Sequence, residues 1–154
     1  MSITNFLQLF YPDTAEPIWL RSFDPKGLPP GISGFPVTIE TCIEELRTSA
    51  AMQSRLRQIN KKQGLYFVVN AGGNTNASIS RINAVYCEID ELLPDPVESI
   101  KAQHLLYDAC PLQPSLRLET YKSVHAYWLP SETLTNAEFL ALQQGLIKYF
   151  KSDP

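Results

Sequence analysis

No aspartate or glutamate occurs between Leu46 and Cys87, a stretch that carries six bases: Arg47, Arg55, Arg57, Lys61, Lys62 and Arg81. From Glu88 to Glu98 the balance reverses, with five acids and no base. With a net charge of -3 the chain lacks the general basic coat of a non-specific nucleic-acid binder, so any phosphate-contacting surface has to be local. The same polarity also fits a solvated helix face followed by an acidic loop. Cysteine is scarce. Cys42, Cys87 and Cys110 form no metal-ligand spacing, and an odd count fits buried thiols in a reducing compartment. No cationic leader with an apolar core opens the chain, and no run approaches the length of a membrane span. Repeats and low-complexity segments are absent too. The expectation is a soluble, cytoplasmic protein with no membrane partner.

What is present is globular in character: 154 residues, 44% hydrophobic and 19% charged. That length supports one domain with a core of its own. Twelve prolines imply several fixed turns. "ITNFLQLF" predicts a short opening helix, and "PIWLRSF" (17–23) a strand. "DPKGLPPGISGFP" (24–36) reads as a Pro/Gly loop able to move over a site. Thr41 and Glu44 have capping-box spacing for one long helix, with Ile43, Leu46, Ala50 and Leu56 as its apolar stripe and Gly64 as its stop. "LYFVV" predicts a strand, "NAGGNTNAS" a turn-rich loop, and "NAVYCEID" the next strand.

Asp95 and Pro96 then open a helix, "PSLRLETY" and "SVHAYWLP" form a hairpin, and Thr135 with Glu138 caps a final helix. On that last helix Phe139, Leu142, Leu146, Ile147 and Phe150 share one face. The order reads as α+β: a mixed or antiparallel sheet covered by helices on one side. Its C-terminal half, β-α-β-β-α, is most of an RRM/ferredoxin-like split βαβ.

Alternation assigns the chemistry to faces. In "VYCEID", Val85, Cys87 and Ile89 point one way, and Tyr86, Glu88 and Asp90 the other. Paired carboxylates repel unless a cation lies between them, and Mg²⁺ or Mn²⁺ prefers such oxygen donors. An ordinary acidic strand end gives the same letters. In "KSVHAYW", His125 shares a face with Ser123 and Tyr127, opposite the apolar Val124, Ala126 and Trp128. Lys122, Ser123 and His125 together suit a triphosphate, with lysine as point charge and the other two as hydrogen-bond donors. His125 as a third metal ligand is the competing assignment. Two metals need more than two acids. Asp153, in "KSDP" after the last helix, is the candidate third.

In this order the motifs resemble the archaeo-eukaryotic primase superfamily, nearest to the primase-polymerase domains of plasmids, phages and other mobile elements, including the RepB-like primase type. The shared pattern is acid-x-acid on one strand, small-x-His on the next, and a later single acid. "GLYFVVNAGG" also looks like that family's strand and turn entering the site. The resemblance covers the chain from about Thr38 onward.

It implies a single primase-polymerase catalytic domain over 1–154, incomplete at its C-terminus, because related chains continue past Asp153 through an arginine-rich stretch. It implies that Glu88, Asp90 and Asp153 hold Mg²⁺ or Mn²⁺, with Glu88 standing where aspartate is commoner. His125 joins them as a catalytic residue. Lys122, Ser123 and His125 would contact the incoming NTP or dNTP, and Arg55, Arg57, Lys61 and Lys62 would follow the single-stranded DNA template. A replicative helicase is the partner implied. The alternatives are a truncated, catalytically inactive nucleotide- or single-stranded-DNA-binding module, and a metal-dependent nuclease.

Overall fold

A computed structural model describes residues 2–23, 37–89, 92–121 and 123–152. The chain divides into two compact units, Met1–Arg81 and Ile82–Pro154. The expected loop 24–36 lies outside the described residues.

The N-terminal unit opens with α1 (Ile3–Gln8), capped by Ser2, whose side chain accepts from the Asn5 N–H. Its sheet has the order β2-β1-β3, all antiparallel: β1 (Ile18–Phe23), β2 (Thr38–Thr41) and β3 (Gly64–Phe67). The burial of β1 alternates, with Ile18, Leu20 and Ser22 inside. Leu7, Phe10, Tyr11, Ile39, Ile43 and Leu46 complete this core. The Tyr11 hydroxyl donates to the Val68 carbonyl at 2.7 Å.

Three expectations for the helix after β2 are corrected here. Thr38–Thr41 is a strand, paired with Ile18–Arg21. The helix begins after Cys42, because Thr41 is held in the sheet and its hydroxyl instead donates to the Glu45 carboxylate. The long helix is two: α2 (Ile43–Thr48) and α3 (Ala50–Asn60). Ser49 is extended at ψ 102° and caps the second with its side chain, so the backbone ladder is interrupted there. Gly64 does not stop the helix; Lys61 is the C-cap, and Gly64 starts β3.

The loop after β3 turns at Gly72, whose φ of 110° favours glycine; a Cβ there would come within 2.6 Å of the Ser78 carbonyl. It is closed by a bridge between Ala71 and Arg81.

The C-terminal unit follows the expected pattern: β4 (Val85–Ile89), α4 (Pro96–Asp108), β5 (Leu116–Glu119), β6 (Val124–Trp128) and α5 (Asn136–Phe150). The sheet order is β4-β6-β5, antiparallel throughout, so β4 and β5 run parallel with β6 between them. That is the split βαβ arrangement. Asp95 caps α4, its Oδ1 accepting from the Val97 and Glu98 N–H groups, with Pro96 in the first turn. Thr135 and Glu138 form the capping box of α5.

One sheet face, with Val85, Cys87, Ile89, Val124, Ala126 and Trp128, packs with Tyr107, Cys110 and Phe150, and with the half-buried Ile100, Phe139 and Leu146. Leu142, assigned to the same helix stripe, is instead 43% exposed. The chain is thus α+β, and its described residues form two small antiparallel sheets and five α-helices, in place of one sheet. Among the described residues no helix is long and apolar enough to cross a membrane.

Candidate active site

Because Cys87 and Ala126 point into the core, their neighbours Glu88 and His125 must point to the other sheet face. The β4–β6 register sets these two directly opposite each other. Their side chains meet: His125 Nε2 is 3.1 Å from Glu88 Oε1. The Ser123 hydroxyl donates to the same oxygen at 2.9 Å. The Glu88 side chain remains 46% exposed, while His125 is 21% exposed and Ser123 is buried. The sequence-assigned residues Glu88, Ser123 and His125 therefore converge on one carboxylate.

Asp90, Lys122 and Asp153 lie outside the described residues. Arg55 and Arg57 are exposed on α3, and Lys61 and Lys62 in the turn after it, all in the N-terminal unit. Arg57 is tethered along its own helix, donating to the Gln53 carbonyl and side chain.

Several residues that hold the site were not singled out from the sequence. Thr120 brackets the β5–β6 turn. Its N–H donates to the Ser123 carbonyl at 2.8 Å, its hydroxyl lies 2.8 Å from Ser123 Oγ, and it accepts from the Ser123 N–H at 3.1 Å. This pre-orders the serine hydroxyl toward Glu88.

Behind the sheet, α4 turns a polar stripe inward: Ser99, Gln103 and Tyr107 are fully buried. Gln103 accepts from the Val124 N–H at 2.6 Å and donates to Ser99 Oγ at 3.1 Å. Ser99 Oγ also accepts from the Leu92 N–H at 2.9 Å. The Tyr107 hydroxyl reaches the Val124 carbonyl at 3.0 Å and the Cys87 carbonyl at 3.2 Å. One helix thus fixes the backbone next to Ser123, next to Glu88, and two residues past Asp90. The available signal was the i, i+4, i+8 spacing of Ser99, Gln103 and Tyr107, which a hydrophobic pattern search passes over.

Tyr86 and Tyr127 extend the Glu88–His125 face, paired across the strands with ring centroids 6.4 Å apart. Burial pushes both phenols above their ordinary range. For Tyr127 the Glu88 charge and then Tyr86 add to it. They stay neutral hydrogen-bonding groups beside the carboxylate.

A hard cation needs several oxygen donors. Glu88 supplies a half-exposed carboxylate of the right chemistry, but among the described residues no group of three or more His, Cys, Asp or Glu could hold a metal ion. A complete set would need the carboxylates of Asp90 and Asp153. The backbone does turn sharply before the latter, since Lys151 caps α5 in the left-handed region at φ 54°.

No protein-family model matches the chain, and no curated protein matches it. Among solved structures it is similar to the AEP domain (PP-N190) of the cyanophage S-2L primase-polymerase, PrimPol. The TM-score is 0.70 with 25% sequence identity, over 98% of this chain and 72% of that one. The likeness reaches well before Thr38, where the sequence resemblance began. The chain has an archaeo-eukaryotic primase-type fold, as expected for a module of primase-polymerase type.

Proposed function

We propose that the chain is the catalytic module of a primase-polymerase, performing metal-dependent, template-directed nucleotidyl transfer. The observation that carries this reading is the convergence of Glu88, Ser123 and His125 across β4 and β6, within a fold of this type. In the reaction, the 3′-hydroxyl of the growing strand attacks the α-phosphorus of an NTP or dNTP. A new P–O bond forms, the α–β bond breaks, and pyrophosphate leaves.

Glu88, Asp90 and Asp153 are the residues that would hold Mg²⁺ or Mn²⁺. The bound ions would neutralise triphosphate charge and favour the alkoxide of the attacking hydroxyl. Glu88 brings one carboxylate on a strand held from behind by Tyr107, so it has little freedom to reorganise. Ser123 and His125 present an O–H and an N–H that now meet a carboxylate oxygen. The same donors suit phosphate oxygens, and charge-assisted hydrogen bonds of this kind are the stronger sort. Lys122 would add a point charge to them.

Arg55, Arg57, Lys61 and Lys62 would track template phosphates. The context would be replication of a plasmid, phage or other mobile element, with a helicase opening the duplex. The test is nucleotide incorporation on single-stranded DNA, with and without a primer, in Mn²⁺ and in Mg²⁺. Incorporation lost on chelation and in Glu88→Gln supports the reading. DNA binding without incorporation under any of these conditions counts against it.

A further inference from the structure

The N-terminal sheet has a second face that none of the chemistry above uses. On β1, Ile18, Leu20 and Ser22 point into the core, so Trp19, Arg21 and Phe23 point away from it. The register sets Arg21 beside Tyr66 and Phe23 beside Gly64. Phe23 is 43% exposed and Tyr66 51% exposed, large fractions for rings in regular strands.

These side chains are mutually arranged. The Phe23 and Tyr66 rings meet edge to face, with centroids 5.5 Å apart and planes at 67°. The Arg21 guanidinium lies over the Phe23 ring at 5.2 Å. Gly64 makes the arrangement possible, since a Cβ there would fall 2.7 Å from the Tyr66 ring. Without that Cβ, Tyr66 settles over the strand backbone beside Phe23. Because the core of this unit is on the opposite face, the pair adds little to it.

Charge selects the occupant. Arg21 stands at the centre of the face, and Lys61 and Lys62 are exposed in the turn that leads into β3 at Gly64. Among the described residues the acids near this face, Glu40 and Glu16, lie with Trp19 at the far end of β1. Aromatic faces next to cations suit unpaired bases joined by phosphates, because every base has a π-face and every linkage a negative charge. Duplex DNA hides those faces.

We infer that Phe23 and Tyr66, with Arg21 between phosphate and ring, form a stacking platform for single-stranded DNA on the N-terminal unit. The inference rests on the primase-polymerase reading for the choice of DNA, and it adds a base-contacting surface to the phosphate-tracking bases of α3.

The experiment is fluorescence anisotropy of labelled oligo-dT with the full chain, without nucleotide and with chelator present. Phe23→Ala and Tyr66→Ala should each weaken binding roughly ten-fold or more, while Tyr66→Phe keeps parental affinity. Arg21→Gln should lower the salt slope by about 0.7. An unlabelled duplex should compete poorly. Parental affinity in a Phe23→Ala/Tyr66→Ala double variant with unchanged thermal melting overturns the inference. So does equal competition by duplex, or no oligo-dT binding by the parent chain. Incorporation assays score the catalytic reading separately: oligo-dT binding that survives Glu88→Gln keeps the platform even if no chemistry is found.

Discussion

Glu88 on β4 faces His125 on β6 as its direct cross-strand partner, with Oε1 and Nε2 3.1 Å apart. Directly opposed residues on antiparallel strands share a face, so the contact follows from register. A slip by one residue would send Glu88 into the core beneath Tyr107. Register is therefore what the site depends on.

Ser123 and His125 are expected to act on the nucleotide. Removing either donor leaves a phosphate oxygen without its partner, so Ser123→Ala and His125→Ala should each raise KM for the nucleotide roughly ten-fold or more. His125→Gln, which keeps an N–H donor, should recover part of the loss. Steady-state kinetics in saturating template would show it. A fall in kcat with unchanged KM would mean that these groups do not bind the ground-state triphosphate.

Gln103 and Tyr107 are expected to hold the register. Gln103→Leu leaves the buried Val124 N–H unpaired, at a cost of about 1–3 kcal/mol. Tyr107→Phe removes the hydroxyl shared by the Val124 and Cys87 carbonyls and should cost about 1 kcal/mol or more. Urea titration measures both. Parental midpoints would show that α4 does not fix β6.

Stability should fall at alkaline pH. Burial raises the phenols of Tyr11, Tyr107 and Tyr127 above their ordinary value, with the Glu16 charge adding for Tyr11 and the Glu88 charge for Tyr127. Unfolded phenols ionise near about pH 10. Above that pH the unfolded chain holds fewer protons than the folded one, so stability drops as pH rises; below it the contribution is complete. Urea midpoints should hold steady up to about pH 9 and then decline. Phenolate absorbance from all seven tyrosines rising near about pH 10 in a still-folded chain would contradict this.

Much of the C-terminal unit was legible because its strands alternate cleanly and its caps are strong. "VYCEID" and "SVHAYW" each declared a polar face, and Asp95, Pro96 and Thr135 marked helix starts where the structure has them. The β4–β6 pairing was legible only through the split βαβ pattern, since no short turn joins those strands. In the N-terminal unit, "TIET" is too short to separate from the helix that follows. Thr41 offered a cap that the sheet had already claimed. Ser49 reads as one more polar residue on a continuous helix until its side chain is seen capping α3. The buried stripe of α4 escaped for the opposite reason. Its inward residues are polar while Leu105 is 68% exposed, so hydrophobicity points to the wrong side.

The most direct test is Mn²⁺-dependent incorporation of labelled nucleotide on single-stranded DNA, comparing the parent chain with Glu88→Gln. The Glu88 side chain is half-exposed, so the amide should leave the fold intact while removing the charge. The parent should incorporate nucleotide, and Glu88→Gln should lose at least about a hundred-fold with unchanged thermal melting. Equal incorporation by the two proteins, or none by the parent in any metal, would contradict this.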